Sequence, residues 1–106
     1  MSATSHHRPK RNPNPRARAY VVAYDIVDGS RRKRVHDLLL DFGVPIQYSV
    51  FECRLVATDR RRMLQAIRPL ISLPGDALFV AVLCAACERR TLRVGGPVTE
   101  TDTLVV

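Results

Sequence analysis

The chain predicts an α+β domain with the element order β-α-β-β-α-β, on three observations. Two short apolar runs, residues 20–24 and 78–83, stand near the two ends of the chain. Two stretches between them repeat apolar residues at helical spacing. A β-rich segment, residues 46–55, separates those stretches. A length of 106 residues allows one domain with a single modest core, and 46% apolar content without tryptophan fits a globular chain.

Residues 1–18 hold Arg8, Lys10, Arg11, Arg16 and Arg18, no acid, and Pro9, Pro13 and Pro15. Such a segment has little apolar surface to bury and is expected to be a disordered basic tail. It supplies most of the formal net charge of +7. It reads either as a solubilising leader or as an arm adding salt-sensitive affinity for nucleic acid. The folded domain is assigned to residues 19–94, and residues 95–106 to a C-terminal extended segment.

Tyr20-Val21-Val22-Ala23-Tyr24 is too short and too β-prone for a helix, and it delivers Asp25 to a strand end. Asp28-Gly29-Ser30 makes a turn with Ser30 as the expected helix N-cap. Val35, Leu38, Leu39 and Phe42 then fall on one helical stripe, and Gly43 sits at the expected C-cap. Residues 46–55 form one or two strands, with no Asn-Gly or Asp-Gly pair to fix a turn. Thr58-Asp59 opens a second helix that places Met63, Ile67, Leu70 and Ile71 on one face, and Pro69 shortens or kinks it. After the turn at Pro74-Gly75-Asp76 comes the second apolar strand.

This order is the ferredoxin-like split βαβ arrangement, a βαββαβ sandwich with extra C-terminal strands. The two apolar runs are expected at the two central positions of its antiparallel sheet. Helices would cover one face. The other face, left apolar, calls for a second copy, so a sheet-to-sheet homodimer is expected. Thr103-Leu104-Val105-Val106 is β-prone and suits pairing with the partner protomer's sheet edge.

Several classes are excluded or made unattractive. No apolar stretch approaches the roughly 20 residues of a membrane helix, and the N-terminus lacks a secretory apolar core, so cytoplasmic localisation is expected. Cys53, Cys84 and Cys87 are an odd set that reads as reduced thiols rather than a disulfide framework. Cys84 and Cys87 have CxxC spacing in one copy only, which favours packing or turn thiols over a four-ligand zinc site. His36 lies beside the first helical stripe without a nucleophile in recognisable context, and no glycine-rich phosphate loop is present. An RNA-recognition sheet would need an aromatic-rich strand, for which Tyr48 and Phe51 are the only candidates.

Chemistry concentrates around Asp25. An acid at a strand end is an ordinary turn residue or a metal ligand. Its downstream neighbours, Asp28 and then Arg31-Arg32-Lys33-Arg34, are residues that a phosphate-directed metal site would use. Mg²⁺ prefers octahedral oxygen coordination, with one or two carboxylates completed by water and phosphate oxygens. One carboxylate per chain is thin, whereas two copies of Asp25 across a dimer axis would be adequate. The arginines open a helix against its dipole preference, as does Arg60-Arg61-Arg62 at the second helix. Helix N-termini also attract phosphates, so Arg31, Arg32, Arg34, Arg60 and Arg61 are candidates for nucleic-acid contacts. A solvated helix start is the alternative for both runs.

Val22-Ala23-Tyr24-Asp25-Ile26, the basic helix start through Arg32 and Arg34, and Gln47-Tyr48-Ser49-Val50-Phe51-Glu52-Cys53 resemble the CRISPR-associated Cas-two family. So does the late strand ending in Leu83-Cys84-Ala85-Ala86-Cys87, and the likeness spans about residues 19–94. The resemblance implies a homodimer that acts with the Cas-one integrase in spacer acquisition, bridging integrase dimers and holding DNA. It also implies possible endonuclease activity on single-stranded RNA or double-stranded DNA with Mg²⁺ or Mn²⁺. Carried over, Asp25 of each protomer is the catalytic, metal-binding acid, and Tyr24, Ser49 and Phe51 support the site with Arg32 and Arg34. Two features depart from the family: the long basic tail, and Pro45 in the expected loop before Ile46, where some nuclease-active members carry a basic residue. Two other readings stand beside the enzyme: a DNA-bridging scaffold without catalysis, and a toxin-type ribonuclease of the same fold, similar to virulence-associated protein D.

Overall fold

Alternation of buried and open positions along Arg18–Asp25 makes this first strand, β1, the spine of the sheet: Tyr20, Val22 and Tyr24 are buried on one side. The computed structural model describes residues 14–90. The expected C-terminal strand and most of the basic tail lie outside the described residues. The folded chain starts ahead of the shift in composition. The Asn14 carbonyl accepts from the Ala17 amide at 2.9 Å, the Asn14 side chain accepts from the Arg16 amide at 2.8 Å, and Ala17 is buried.

Helix α1, Gly29–Leu39, follows β1, and then come β2, Gly43–Gln47, and β3, Val50–Leu55. Helix α2, Ala57–Ile67, runs on into a 3₁₀ turn, Arg68–Leu70, and β4, Ala77–Leu83, leads into a short α3, Ala85–Arg89. The strand order is β2-β3-β1-β4, with every neighbouring pair antiparallel. This is the ferredoxin-like arrangement. One expectation is corrected: β4 is an edge strand, and β3 shares the centre with β1. β3 forms a hairpin with β2 and takes one flank of β1, so the α2 crossover must carry β4 to the other. The apolar run of β4 is therefore only half used by this chain's core, and Phe79 and Val82 remain 63% and 57% exposed.

The core joins Tyr20, Val22, Tyr24 and Ile26 to Val35 and Leu39 of α1, Phe51, Cys53 and Leu55 of β3, and Met63 and Ile67 of α2. Both helical stripes read from the sequence thus point inward. Their ends differ. Asp28, not Ser30, caps α1: its carboxylate accepts from the Arg31 amide and from the Ser30 hydroxyl, both at 2.9 Å. An ionised carboxylate is the better acceptor and suits the positive end of the helix. α1 ends at Leu40, and Gly43 belongs to β2 rather than to a helix C-cap. α2 starts earlier than expected, at Ala57, with Val56 as a cap lacking any side-chain bond. Pro69 falls in the 3₁₀ turn, where it shortens the helix. Pro45 lies within β2 instead of in a loop, which an edge strand tolerates.

The β2–β3 connection is Tyr48-Ser49, with Ser49 in the left-handed region at φ 67°. At the same end of the sheet, buried Asp76 ties the approach to β4 to the β1–α1 loop. Its carboxylate accepts from the Val27 and Ser72 amides, both at 2.9 Å, and from the Arg31 guanidinium. Arg31 also donates to the Leu70 carbonyl at 3.3 Å. No helix among the described residues is long and apolar enough to cross a membrane.

Candidate metal and nucleic-acid site at the end of β1

Because side chains alternate along a strand, Tyr24 points into the helix layer while Asp25, the last residue of β1, is exposed. The other acids at this end of the sheet are engaged. Asp28 caps α1, which holds its carboxyl below the usual range. Asp76 is held low by the Val27 amide and Arg31. Asp37 is held low by Lys33, whose Nζ lies 2.9 Å from it. The Asp25 side chain has no hydrogen-bonded or ionic partner among the described residues, although its backbone pairs with Ala77 of β4. No group of three or more His, Cys, Asp or Glu among the described residues could hold a metal. Among the described residues, Asp25 is thus the carboxylate at this end of the sheet left available to a hard cation.

The arginines divide by position. Arg32 is half-buried and hydrogen-bonds the Ile26 and Val27 carbonyls at 3.3 and 3.2 Å, which fixes the loop after Asp25. Arg34 is exposed. Arg31 differs from both, since its guanidinium is taken by Asp76 and Leu70 and acts as a structural clamp. The second basic run lies elsewhere. β1 and β3 are antiparallel, so α2 begins at the opposite end of the sheet, where Arg18 pairs with Leu55. There Arg60 donates to the Tyr20 hydroxyl at 3.1 Å and lies over its ring, 5.9 Å from the centroid. Arg61 is exposed. The structure thus sets Asp25 and Arg32 at one end, with exposed Arg34 midway along α1, and leaves Arg60 and Arg61 at the other.

Ser49 and Phe51 support Tyr24 from two sides. The Tyr24 amide donates to the Ser49 carbonyl at 3.1 Å, and the Ser49 side chain lies near the Tyr24 hydroxyl. Burial, with Tyr48 nearby, holds the Tyr24 phenol above its ordinary value, so it stays protonated. Phe51 is fully buried beneath, its ring centroid 6.4 Å from Tyr24 and 5.2 Å from His36. A cleft of about 430 Å³ opens between α1 and the β2–β3 turn, lined by Tyr24, Arg32, Lys33, His36, Gln47 and Tyr48 among others. Sequence reasoning assigned His36 and Gln47 no role at the site. They come from separate elements, and no local pattern links them.

Of the two roles expected for the CxxC thiols, packing or turn, the structure shows the turn role. Cys84 and Cys87 are exposed rather than packed, and Cys84 caps α3, its Sγ accepting from the Cys87 amide at 3.3 Å. Hydrogen bonding from Cys87 lowers the Cys84 thiol, while the same contact raises Cys87. Burial pushes Cys53 up to about 12. Alkylation of the folded protein near pH 8, with mass spectrometry as the readout, should therefore modify Cys84 first and leave Cys53 untouched until unfolding. Equal labelling of Cys53 and Cys84 would contradict this assignment.

Residues 18–91, which carry every strand described above and the Asp25 end, match the family model for CRISPR associated protein Cas2. This chain belongs to the Cas2 family. It is 35% identical over 79 residues to CRISPR-associated endoribonuclease Cas2 4 of Rhodospirillum rubrum, a match covering 74% of this chain and 64% of that protein. A match to CRISPR-associated endoribonuclease Cas2 3 of Synechocystis likewise spans 64% of the relative's length. Identity is 46% over 75 residues to CRISPR-associated endonuclease Cas2 2 of Thermus thermophilus, covering 67% of this chain and 79% of that one. Among solved structures, hypothetical protein TT1823 from Thermus thermophilus shares 34% identity at a TM-score of 0.68, covering 77% of this chain and 96% of its own. Streptococcus pyogenes Cas2, at 24% identity and a TM-score of 0.64, covering 73% and 99%, shares the fold.

Proposed function

We propose that this chain works as a homodimer that binds nucleic acid and cleaves phosphodiester bonds with Mg²⁺ or Mn²⁺ held by Asp25 of both copies. In the same reading it bridges the Cas-one integrase during spacer acquisition. The observation that carries the reading is the exposed, unpartnered carboxylate of Asp25, at the same sheet end as Arg32. The names of the relatives, endoribonuclease and endonuclease, support the reaction class.

Support for two copies comes from the sheet face away from the helices. Register places Val21 between Glu52 and Ala81 and Ala23 between Val50 and Phe79, so the face joins small and apolar side chains around an exposed Phe79 to the charged Glu52 of β3. A second copy would cover that surface and contribute its own Asp25. Asp25 suits a hard cation in kind, and two copies supply the one or two carboxylates such an ion takes alongside water and phosphate oxygens. The ion, when bound, supplies Lewis-acid activation of the phosphodiester and of the attacking water. The chain's own side chains bind and orient: Arg32 and Arg34 neutralise phosphate, and the protonated Tyr24 hydroxyl offers a hydrogen-bond donor.

The test is cleavage of end-labelled single-stranded RNA and duplex DNA, with Mg²⁺ or EDTA, by the parent and Asp25→Asn proteins. Metal-dependent cutting should fall by about 100-fold or more in the variant, since losing the metal ligand removes several kcal/mol of transition-state stabilisation. Asp25 is exposed, so the fold should be unchanged by circular dichroism. Cutting at the parent rate by the variant would overturn the assignment. Absence of metal-dependent cutting by the parent would favour a bridging scaffold, a reading supported by the placement of Arg60 and Arg61 at the far end from Asp25.

A further inference from the structure

Building on the reading of this chain as a nucleic-acid-binding protein, we propose that the cleft between α1 and the β2–β3 turn holds one unstacked nucleobase, and that the strand bound at this end is single. Tyr48 is the first reason. It is 85% exposed at the cleft mouth, held on a turn whose next residue, Ser49, takes a left-handed conformation. An aromatic ring displayed there contributes nothing to the core and offers a face on which any base can stack.

The cleft itself is the second reason. About 430 Å³ is room for one nucleoside, and the walls combine an aromatic mouth with polar groups that suit a base edge and a sugar. Gln47 offers an amide with both donors and an acceptor, and Tyr24 presents its protonated hydroxyl. The electrostatics argue against a bare phosphate in this cleft. Lys33 is neutralised by Asp37, which also lines the wall, and part of the Arg32 fork is spent on two backbone carbonyls. What remains is a largely neutral, partly aromatic cavity.

The cleft and Asp25 share one end of the sheet but not one face: Tyr24 lines the cleft on the helix side, and Asp25, the next residue of β1, projects from the other side. A strand whose base sits in the cleft must round the tip of β1 to reach Asp25. Bases inside a duplex are stacked on both sides and cannot enter a concave cleft, so duplex must melt or be excluded here. A sheet-to-sheet pairing of two copies would leave this cleft open, because it lies on the helix side.

The experiment uses a single-stranded oligonucleotide carrying 2-aminopurine and the same oligonucleotide annealed to its complement, both titrated with full-length protein in EDTA so that nothing is cut. The single strand should bind with a change in 2-aminopurine emission that the duplex does not show. Tyr48→Ala should weaken single-strand binding about tenfold and abolish the emission change, a loss in the range expected for one stacked base. Tyr48→Phe should restore both, which a merely structural role for the hydroxyl would not allow. Both substitutions are at an exposed position, and circular dichroism should confirm an unchanged fold. Binding and emission change that survive Tyr48→Ala, or appear equally with the duplex, would overturn the cleft while leaving the nucleic-acid reading in place. Failure of the parent to bind either form would overturn both.

Discussion

Gly43→Ala is expected to destabilise the domain by about 3 kcal/mol or more, at the upper end for inserting one methyl group. Gly43 opens β2 directly opposite Cys53. A Cβ there would lie 2.6 Å from Cys53 Sγ and 2.9 Å from Cys53 Cα, and closer still to the Glu52 carbonyl oxygen. Two of these three atoms belong to the backbone of β3, a central strand that cannot move aside without losing its ladder to β1. Cys53 is itself fully buried, so its sulfur has no vacant space to retreat into. Gly29→Ala is the control. A Cβ at Gly29 meets only the tip of the Arg32 side chain at 3.7 Å, and alanine is favoured in the first turn of a helix. Urea titrations monitored by circular dichroism should show a much lower midpoint for Gly43→Ala and little change for Gly29→Ala. Equal midpoints for the two variants would refute the close-approach argument.

A second large effect is expected at Asp76. Its carboxylate satisfies two amides and the Arg31 guanidinium from a buried position, and it joins the β1–α1 loop to the turn before β4. Asp76→Ala leaves the Val27 and Ser72 amides without their acceptor and Arg31 without its charge partner, which is among the costlier kinds of single substitution. Asp76→Asn keeps one acceptor oxygen and loses the charge. Hydrogen bonds from the Val27 amide, then Arg31, hold the folded-state pKa below the ordinary aspartate range. A group depressed on folding stabilises the protein fully above its unfolded pKa, and that stability disappears as pH falls through the folded value. The stability gap between parent and Asp76→Asn should thus be constant near neutrality and shrink below about pH 4. Thermal midpoints measured from pH 7 to pH 2 report it. A gap that widened on acidification would contradict the sign.

The sequence made most of this fold readable because two periodicities coincide with real layers. Tyr20, Val22 and Tyr24 alternate, and Val35 with Leu39, like Met63 with Ile67, repeat at helical spacing; all face one core. The errors share a cause: local composition does not report what an element is packed against. The run 77–83 is apolar throughout, yet strand order alone decides whether its outer side meets protein or solvent. Gly43 resembles a helix terminator because it comes after an amphipathic stretch, but its requirement is set by β3, nine residues or more away in sequence. The site shows the same division. Asp25 is legible as an acid at a strand end. Arg31 looks equivalent to Arg32 and Arg34 until Asp76, 45 residues later, is seen to claim it. The cleft was invisible, since Tyr24, His36 and Gln47 meet only after the chain has folded.

The antiparallel relation of β1 to β3 fixes a distance. Eight residues of β1 hold Asp25 with Arg32 at one tip of the sheet and Arg60 with Arg61 at the other. At about 3.3 Å per residue, the two tips stand roughly 23 Å apart. Stacked nucleotides advance about 3.4 Å each along one strand, so the span corresponds to about seven steps. A hydrogen-bonded strand cannot be stretched, which makes the domain a caliper of set gauge. On the proposed nucleic-acid reading, oligonucleotides shorter than that gauge would reach one jaw, and only longer ones would engage both.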